Sequence, residues 1–319
     1  MSDRPSAFAR RARAVTPRVL AGAALACLAA AARPAAASPC CAGSTTPGFE
    51  HLALWETVAG GARGGLERGL GQWDAAGRWR SHEAYEETVG RLELWVVGRP
   101  LAALQLGARL PWVFTDRRAG GGHDTGGGVG DLGVSARWDV YPGGEGPAGL
   151  GIAAVVGLTM PTGRDMAAAE GPLGADATGE GSFTPALGLV LMRPWDTLFV
   201  RIQGSVGRPL TRTVDGRTHR AGVDLNGALI GGVSPVPSLT LSLSLDARRQ
   251  SEATVAGRMI PDSGRSGTFT ALGLAWDLPG RFEILALQAT VRAPVAVDGL
   301  GRNTLAGLGG ALGLRAGWP

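Results

Sequence analysis

The sequence is poor in cysteine and aromatic residues, and it has no long apolar run outside its first residues. Three cysteines occur in 319 residues, and two of them, Cys40 and Cys41, are adjacent. A disulfide between neighbouring residues is strained, so we expect no cysteine staple in the fold. No run of 18 apolar residues follows residue 37, which excludes a later membrane-spanning helix. Aromatic residues make up only 6% of the chain, so the placement of each tryptophan is informative.

Residues 1–37 have the features of a secretory signal peptide. Five arginines precede residue 19, Val19–Ala32 is apolar, and residues 35–37 are small, as a cleavage site requires. The apolar run is too short to span a membrane. A lipoprotein signal ending at Cys27 is the weaker alternative. We expect export, with residues 38–50 as a periplasmic leader and residues 51–319 as one outer-membrane domain.

Without the signal the chain is nearly neutral. The full chain has 31 basic and 27 acidic residues, and residues 1–37 hold six arginines and one aspartate. The mature net charge is therefore about −1, because 25 basic residues face 26 acidic ones. The basic character belongs to the signal and gives no reason to expect a nucleic-acid partner.

The rest of the chain repeats segments in which apolar and polar residues alternate. In Asp131–Pro142 the even-numbered residues are apolar, whereas the odd-numbered ones include Arg137 and Asp139. Side chains of a strand alternate between two faces, so this period predicts strands with one apolar face. Such a strand is long enough to cross a bilayer when tilted. The twelve predicted segments lie near 52–67, 89–97, 101–114, 130–140, 149–160, 183–193, 197–207, 221–233, 238–248, 268–277, 282–293 and 305–318.

The connections between the segments also alternate. Short ones follow the even-numbered segments, and longer polar ones generally follow the odd-numbered segments. This order is typical of outer-membrane barrels, which have short periplasmic turns and longer extracellular loops. We predict an all-β fold, a transmembrane antiparallel up-and-down β-barrel of about 12 strands in a Gram-negative cell outer membrane. Its expected partners are outer-membrane lipid, a small-molecule solute and the barrel-assembly machinery, with no cofactor.

Two sets of residues carry the functional prediction. Tryptophans at or near the ends of even-numbered segments predict an aromatic girdle at the periplasmic interface; they are Trp95, Trp138, Trp195, Trp276 and Trp318. Charged residues on the polar parity are predicted to face the lumen; they are Arg91, Glu93, Arg109, Arg137, Asp139, Arg201, Asp224, Asp246, Arg248, Glu283, Arg292 and Arg315. Either these charges select or conduct small polar solutes, or they form Arg–carboxylate pairs that fill the barrel, since buried charges must be paired.

Three stretches resemble the phenol-degradation meta-pathway-like family of outer-membrane proteins. Gly128–Trp138 is similar to that family's G-x-GD strand, Gly157–Gly163 to its G-x-x-x-P-T-G strand exit, and Gly179–Leu189 to the segment that follows. The resemblance implies a barrel of about twelve strands, described as a transporter and associated with hydrophobic or aromatic compounds. The chain departs from the usual barrel C-terminus, because Trp318 is followed by Pro319.

Other classes of function have weaker signals. Hydrolytic barrels use a serine and a histidine, yet none of the four histidines has a spacing typical of a catalytic dyad, and no G-x-S-x-G element occurs. The adjacent Cys40 and Cys41 could bind a soft ion such as Cu(I), but without a second pair of thiols they are a weak metal site. We therefore expect no enzyme activity and no metal. A closed structural or surface barrel is the principal alternative to a channel, and an outer-membrane hydrolase is the third.

Overall fold

The computed structural model describes residues 51–81, 85–279 and 284–319. They form a closed antiparallel barrel whose wall has twelve strands, each overlapping one predicted segment, so the predicted fold class is confirmed. No helix in the described residues is long and apolar enough to span a membrane.

The strands are β1 Val58–Trp73, β2 Trp79–Ser81, β3 Tyr85–Leu101, β4 Leu104–Ala119, β5 Gly122–Val129, β6 Leu132–Tyr141, β7 Gly151–Met160, β8 Thr184–Pro194, β9 Leu198–Gly207, β10 Arg212–Val214, β11 Arg217–Arg220, β12 Asp224–Val236, β13 Leu239–Gln250, β14 Thr254–Val255, β15 Arg258–Met259, β16 Arg265–Asp277, β17 Leu285–Pro294 and β18 Thr304–Trp318. The 3-10 helices are Pro142–Gly144, Pro147–Gly149 and Met166–Ala168.

Pairing between the first and last strands closes the barrel. β1 pairs with β18 from Val58 opposite Trp318 to Trp73 opposite Thr304. The strands β5 and β6 act as one wall strand, because both pair with β4 and are separated only by residues 130–131. The short strands β10, β11, β14 and β15 form a separate four-stranded sheet. The wall therefore has no free edge, which is what a membrane-spanning sheet requires.

The two ends of the barrel differ as predicted. At one end, which we name the short-turn end, the connections span residues 102–103, 142–150, 195–197, 237–238 and 278–284. At the other, the long-loop end, most connections are longer, at residues 74–84, 161–183, 208–223, 251–264 and 295–303. The exception is β4–β5, predicted as a loop over 115–129. Gly120 and Gly121 both have positive φ there and form a tight turn, so the two strands run on and pair to their tips.

The wall exposes apolar side chains on its outer face and buries polar ones inside. Along β3, Leu92, Leu94 and Val96 are about half exposed, whereas Glu93 and Trp95 between them are buried. Along β13 the same alternation exposes three leucines and buries Thr240, Ser242, Ser244 and Asp246. A water-soluble barrel would place its apolar face inside. An apolar outer belt of this extent indicates a surface that contacts lipid.

The chain before β1 departs from the prediction. The first segment was expected to be a strand from residue 52, but β1 begins at Val58. The Gly-Gly pairs of this region blur the alternation that would have marked the strand start. His51, Leu52 and Glu56 are instead buried at the short-turn end. This segment, His51–Glu56, is named the N-terminal plug below.

Candidate functional site

The interior of the barrel is the candidate site, because it gathers the predicted charged residues. Glu283 lies outside the described residues. The other eleven occupy interior-facing positions of the alternation, and Arg248 lies near the long-loop rim with a largely exposed side chain. They are Arg91, Glu93, Arg109, Arg137, Asp139, Arg201, Asp224, Asp246, Arg248, Arg292 and Arg315.

The N-terminal plug is held in the short-turn mouth by a buried ion pair. Arg315 on β18 donates to both carboxylate oxygens of Glu56, with 2.6 Å between Arg315 Nη1 and Glu56 Oε1. The Glu56 side chain is only 1% exposed and that of Arg315 7%. Arg99 on β3 adds a second anchor, since its guanidinium donates to the Leu54 and Ala53 carbonyl oxygens at 2.8 and 3.0 Å. Breaking a buried pair leaves an uncompensated charge, so the plug is firmly docked.

A side-chain network on β4 and β6 continues from the plug into the barrel. The Leu52 amide donates to Gln105 Oε1 at 2.8 Å, and Gln105 Nε2 donates to Asp139 Oδ2 at 2.6 Å. Arg137 Nε donates to the other oxygen of Asp139 at 2.7 Å. Gln105 is 2% exposed. Two of the predicted residues are thus brought together, and their role here is to pair and to support the plug.

A second group of charges spans β1, β3 and β4 higher in the barrel. Glu93 accepts from Arg63 at 2.6 Å and lies 3.6 Å from Arg109 Nη1. Arg63 was not among the predicted residues, although its position opposite Glu93 in the β1–β3 register places it on the same face. The glycines around Arg63 hid the alternation of β1. Both signs therefore occur inside the barrel, and several of the arginines are neutralised in place.

Two cavities open from the barrel interior. One, about 100 Å³, is lined mainly by small residues of β4 to β9, among them Gly107, Ser135, Gly157 and Gly188. The other, about 180 Å³, lies on the opposite wall against β1, β3, β17 and β18, where Arg63, Arg91 and Arg292 line it. Glycine and serine inside the wall leave space that larger side chains would fill. The interior is therefore not completely packed by its own side chains.

The junction between β5 and β6 is hydrogen-bonded to the 161–183 loop at the long-loop end. Asp131, between β5 and β6, accepts from the amides of Gly163 at 3.0 Å and Glu180 at 2.7 Å. Thr162 donates to the carbonyl of Gly130 at 2.7 Å. An added Cβ at Gly179 would overlap the Asp131 carboxylate. The glycine and aspartate of the first motif thus bind both ends of the 161–183 loop.

Charged groups also fix the middle of that loop. Asp124 on β5 accepts from the amides of Leu173 and Ala175, each at 3.0 Å. Within the loop, the amide of Glu170 at 2.9 Å and the Arg164 guanidinium at 2.6 Å both donate to Asp176. These hydrogen bonds favour the charged carboxylate and lower the pKa of Asp176 to about 2. Asp176 therefore holds the middle of the loop together as an ionised carboxylate at neutral pH, and Asp124 joins the loop to β5.

The predicted aromatic girdle divides into two groups. Trp138, Trp195, Trp276 and Trp318 are 44 to 50% exposed and lie near the short-turn ends of their strands. Trp95 was assigned to the girdle wrongly. It shares the interior face of β3 with Glu93, is 9% exposed, and packs in a buried cluster that includes the plug residue Leu52.

The remaining candidates fall largely outside the site. Cys40 and Cys41 lie outside the described residues, within which no group of three metal-ligating side chains occurs. His123 Nε2 lies 3.1 Å from Asp116 Oδ2 on the extended β4–β5 hairpin, where both side chains are partly exposed. His219 is on β11, and His82 is outside the described residues. The absence of enzyme activity stays a prediction.

The fold is similar to that of a solved outer-membrane channel. No family model matches the chain, and no curated protein sequence matches it. An outer-membrane channel from Pseudomonas putida F1 superposes with a TM-score of 0.65 at 18% identity, covering 86% of this chain and 100% of that one. The β domain of a Bordetella autotransporter gives a TM-score of 0.48 at 16% identity, over 82% of this chain and 100% of that one. The first likeness supports the barrel fold; the second is too weak to carry an argument.

Proposed function

We propose that this protein is a passive channel for small solutes in the outer membrane. The observation that carries the proposal is the combination of an apolar outer belt with a polar interior that contains two cavities. A barrel that served only as a scaffold could fill its interior with side chains. Here glycine and serine positions face inward and keep space open. The fold shared with a solved channel is consistent with this function.

Outer-membrane lipid is the proposed surrounding of the belt. In this arrangement the short-turn end faces the periplasm, and the exposed Trp138, Trp195, Trp276 and Trp318 lie at that interface, where amphipathic rings are favoured. The N-terminal plug then lies in the periplasmic mouth. The barrel-assembly machinery is the proposed partner during insertion, with β18 as the closing strand.

Membership in the phenol-degradation meta-pathway-like family is a further part of the proposal. The three stretches that carry the resemblance meet in space around Asp131, which binds the backbone of Gly163 and Glu180. These residues are far apart in the sequence, and their shared contacts with Asp131 explain why the three motifs occur together. The family resemblance adds hydrophobic or aromatic compounds as the proposed class of cargo.

The channel proposal is tested with purified protein in two reconstituted systems. In planar bilayers we expect discrete conductance steps, and in liposomes we expect swelling by small solutes that falls off with solute size. Protein heated to unfolding before reconstitution is the control. Absence of both conductance and swelling from folded protein would contradict the proposal and favour the closed structural barrel.

A further inference from the structure

The arginine-lined cavity has an excess of positive charge that the protein does not neutralise. Three arginines and two glutamates line it: Arg63, Arg91, Arg292, Glu67 and Glu93. Glu93 accepts from Arg63 at 2.6 Å and is shared with Arg109, which lies outside this cavity. Glu67 lies 3.9 Å from Arg292. One arginine is therefore left over.

That arginine is Arg91. Among the described residues it forms no ion pair and no side-chain hydrogen bond, and its side chain is exposed to the interior. Its neighbour in the alternation, Glu93, is occupied by Arg63 from the adjacent strand. A guanidinium has five donors and stays charged at any physiological pH. The N–H donors of the Arg91 guanidinium are therefore available to a ligand in the cavity.

The floor beneath Arg91 is built from small residues. In the register of the wall, Arg91 lies opposite Gly65, Gly65 opposite Ala311, and Ala311 opposite Thr290. Three strand spacings of about 4.8 Å separate the two ends of this row, roughly 14 Å. Long side chains lie at the edges of the cavity, whereas Gly65 and Ala311 in the middle of this row have little or no side chain. A ligand of a few heavy atoms has room to lie over this row.

Arg292 faces the hollow from the other flank, one alternation further along β17. Its guanidinium carbon lies 3.6 Å from the centroid of the Phe269 ring, a stacking contact that fixes the plane of the fork. Its ion pair with Glu67 is long, at 3.9 Å, and the Asp246 carboxylate also acts on it electrostatically. The cavity also has apolar wall from Val89 and Ala311. Two arginine forks therefore border a partly apolar hollow from opposite sides.

We propose that this cavity is a binding site for a small organic monocarboxylate. Arginine forks match the two oxygens of a carboxylate in a bidentate geometry, and one negative charge neutralises the single excess positive charge. The apolar wall residues favour an organic group over a bare inorganic anion. The inference deepens the proposed channel function, because it names the class of solute that would pause inside the barrel.

Calorimetric titration of the full-length protein in detergent tests the site without relying on conductance. Propionate is the probe, propionamide its neutral counterpart, and inorganic phosphate the anion without an organic group. We expect propionate to bind. Propionamide should bind at least about tenfold more weakly because it carries no negative charge. Phosphate should also bind about tenfold more weakly, because it has no organic group to contact the apolar wall of Val89 and Ala311. No propionate binding, or tighter binding of phosphate, would overturn the proposal.

Two matched variants locate the binding. Arg91→Gln removes the free fork and should weaken propionate binding by about tenfold. Arg68→Gln removes the same charge from the outer face of β1, where the side chain is 72% exposed, and should leave binding unchanged. Equal binding by the native protein and Arg91→Gln would overturn the assignment. If Arg91→Gln does not fold, as judged by its heat-dependent gel mobility, Arg292→Lys keeps the charge, loses the fork and should still weaken binding.

Failure of this site is distinguishable from failure of the channel. Conductance without selective propionate binding would contradict the carboxylate site and leave the channel proposal intact. Propionate binding that Arg91→Gln weakens, in a barrel that gives neither conductance nor liposome swelling, would support the site and contradict the channel.

Discussion

The short-turn mouth and the arginine-lined cavity use the same residue types in opposite ways. In the mouth, Glu56 is bound by both arms of the Arg315 guanidinium, and Asp139 accepts from Gln105 and Arg137. In the cavity, Arg91 has no partner among the described residues. Paired charges hold the plug in the mouth. An unpaired arginine beside small residues leaves a charge for a solute to neutralise.

The largest expected effect comes from breaking the buried pair in the mouth. Glu56→Gln removes the carboxylate that both arms of the buried Arg315 guanidinium bind, which costs about 3 kcal/mol and shifts the docked–undocked equilibrium of the plug roughly a hundredfold. We expect a higher open probability in single-channel recordings. Glu86→Gln is the control, because its pair with Arg68 is exposed and long at 3.9 Å. Equal recordings from both variants would show that the pair does not hold the plug.

A smaller effect is expected from the neutral link in the same mouth. Gln105→Leu removes the acceptor of the Leu52 amide and one donor to Asp139. Losing these contacts costs about 1–2 kcal/mol, so the ratio of docked to undocked plug should fall roughly tenfold. Hydrogen exchange of the Leu52 amide is the measurement. Protection equal to that of the native protein would mean that the charges alone hold the plug.

Removing an acid from the cavity should not open the barrel. Glu67→Gln leaves Arg292 without its distant counter-charge. The variant should raise the ratio of chloride to potassium permeability by roughly twofold, since the charge acts through a wet, high-dielectric cavity. The reversal potential in a potassium chloride gradient measures this ratio. A rise in open probability like that of Glu56→Gln would erase the distinction between the two regions.

The smallest effect is expected at the 161–183 loop, outside both regions. Its Asp176 has a pKa lowered to about 2 by the Glu170 amide and Arg164. A lowered carboxyl pKa contributes stability above the ordinary value near 3.8, and this contribution is lost as the pH falls towards 2. Pepsin cleavage near Leu173 should therefore increase between pH 4 and 2 in the native protein. In Asp176→Asn the loop should be cleaved readily even at pH 4, and an identical profile would contradict the assignment.

The sequence predicts well which face of a strand a residue occupies, but it predicts poorly which residue it pairs with. The leucines of β13 alternate without interruption, and their strand was located within two residues at each end. Arg91–Glu93 and Arg137–Asp139 look alike in sequence, as an arginine two residues before an acid. Asp139 binds its own Arg137, whereas Glu93 binds Arg63 from the neighbouring strand. The register between strands decides this difference, and alternation within one strand does not contain it.

Two other features needed the three-dimensional structure. The plug was predicted as the start of a strand, and its docking could not be predicted from the sequence, because its buried polar groups are satisfied by residues as distant as Arg315. The continuation of β4 and β5 depends on the tight turn at Gly120 and Gly121, which was interpreted as a loop. The interior position of Trp95 could have been predicted from the sequence, because Trp95 is two residues from Glu93 and therefore lies on the same face of β3.

The reversal potential of single channels in a potassium chloride gradient, compared between the native protein and Arg91→Gln, tests the combined proposal most directly. We predict discrete channels that favour chloride, with the preference reduced in Arg91→Gln and unchanged in Arg68→Gln. Native channels that favour potassium, or identical reversal potentials in all three proteins, would contradict it.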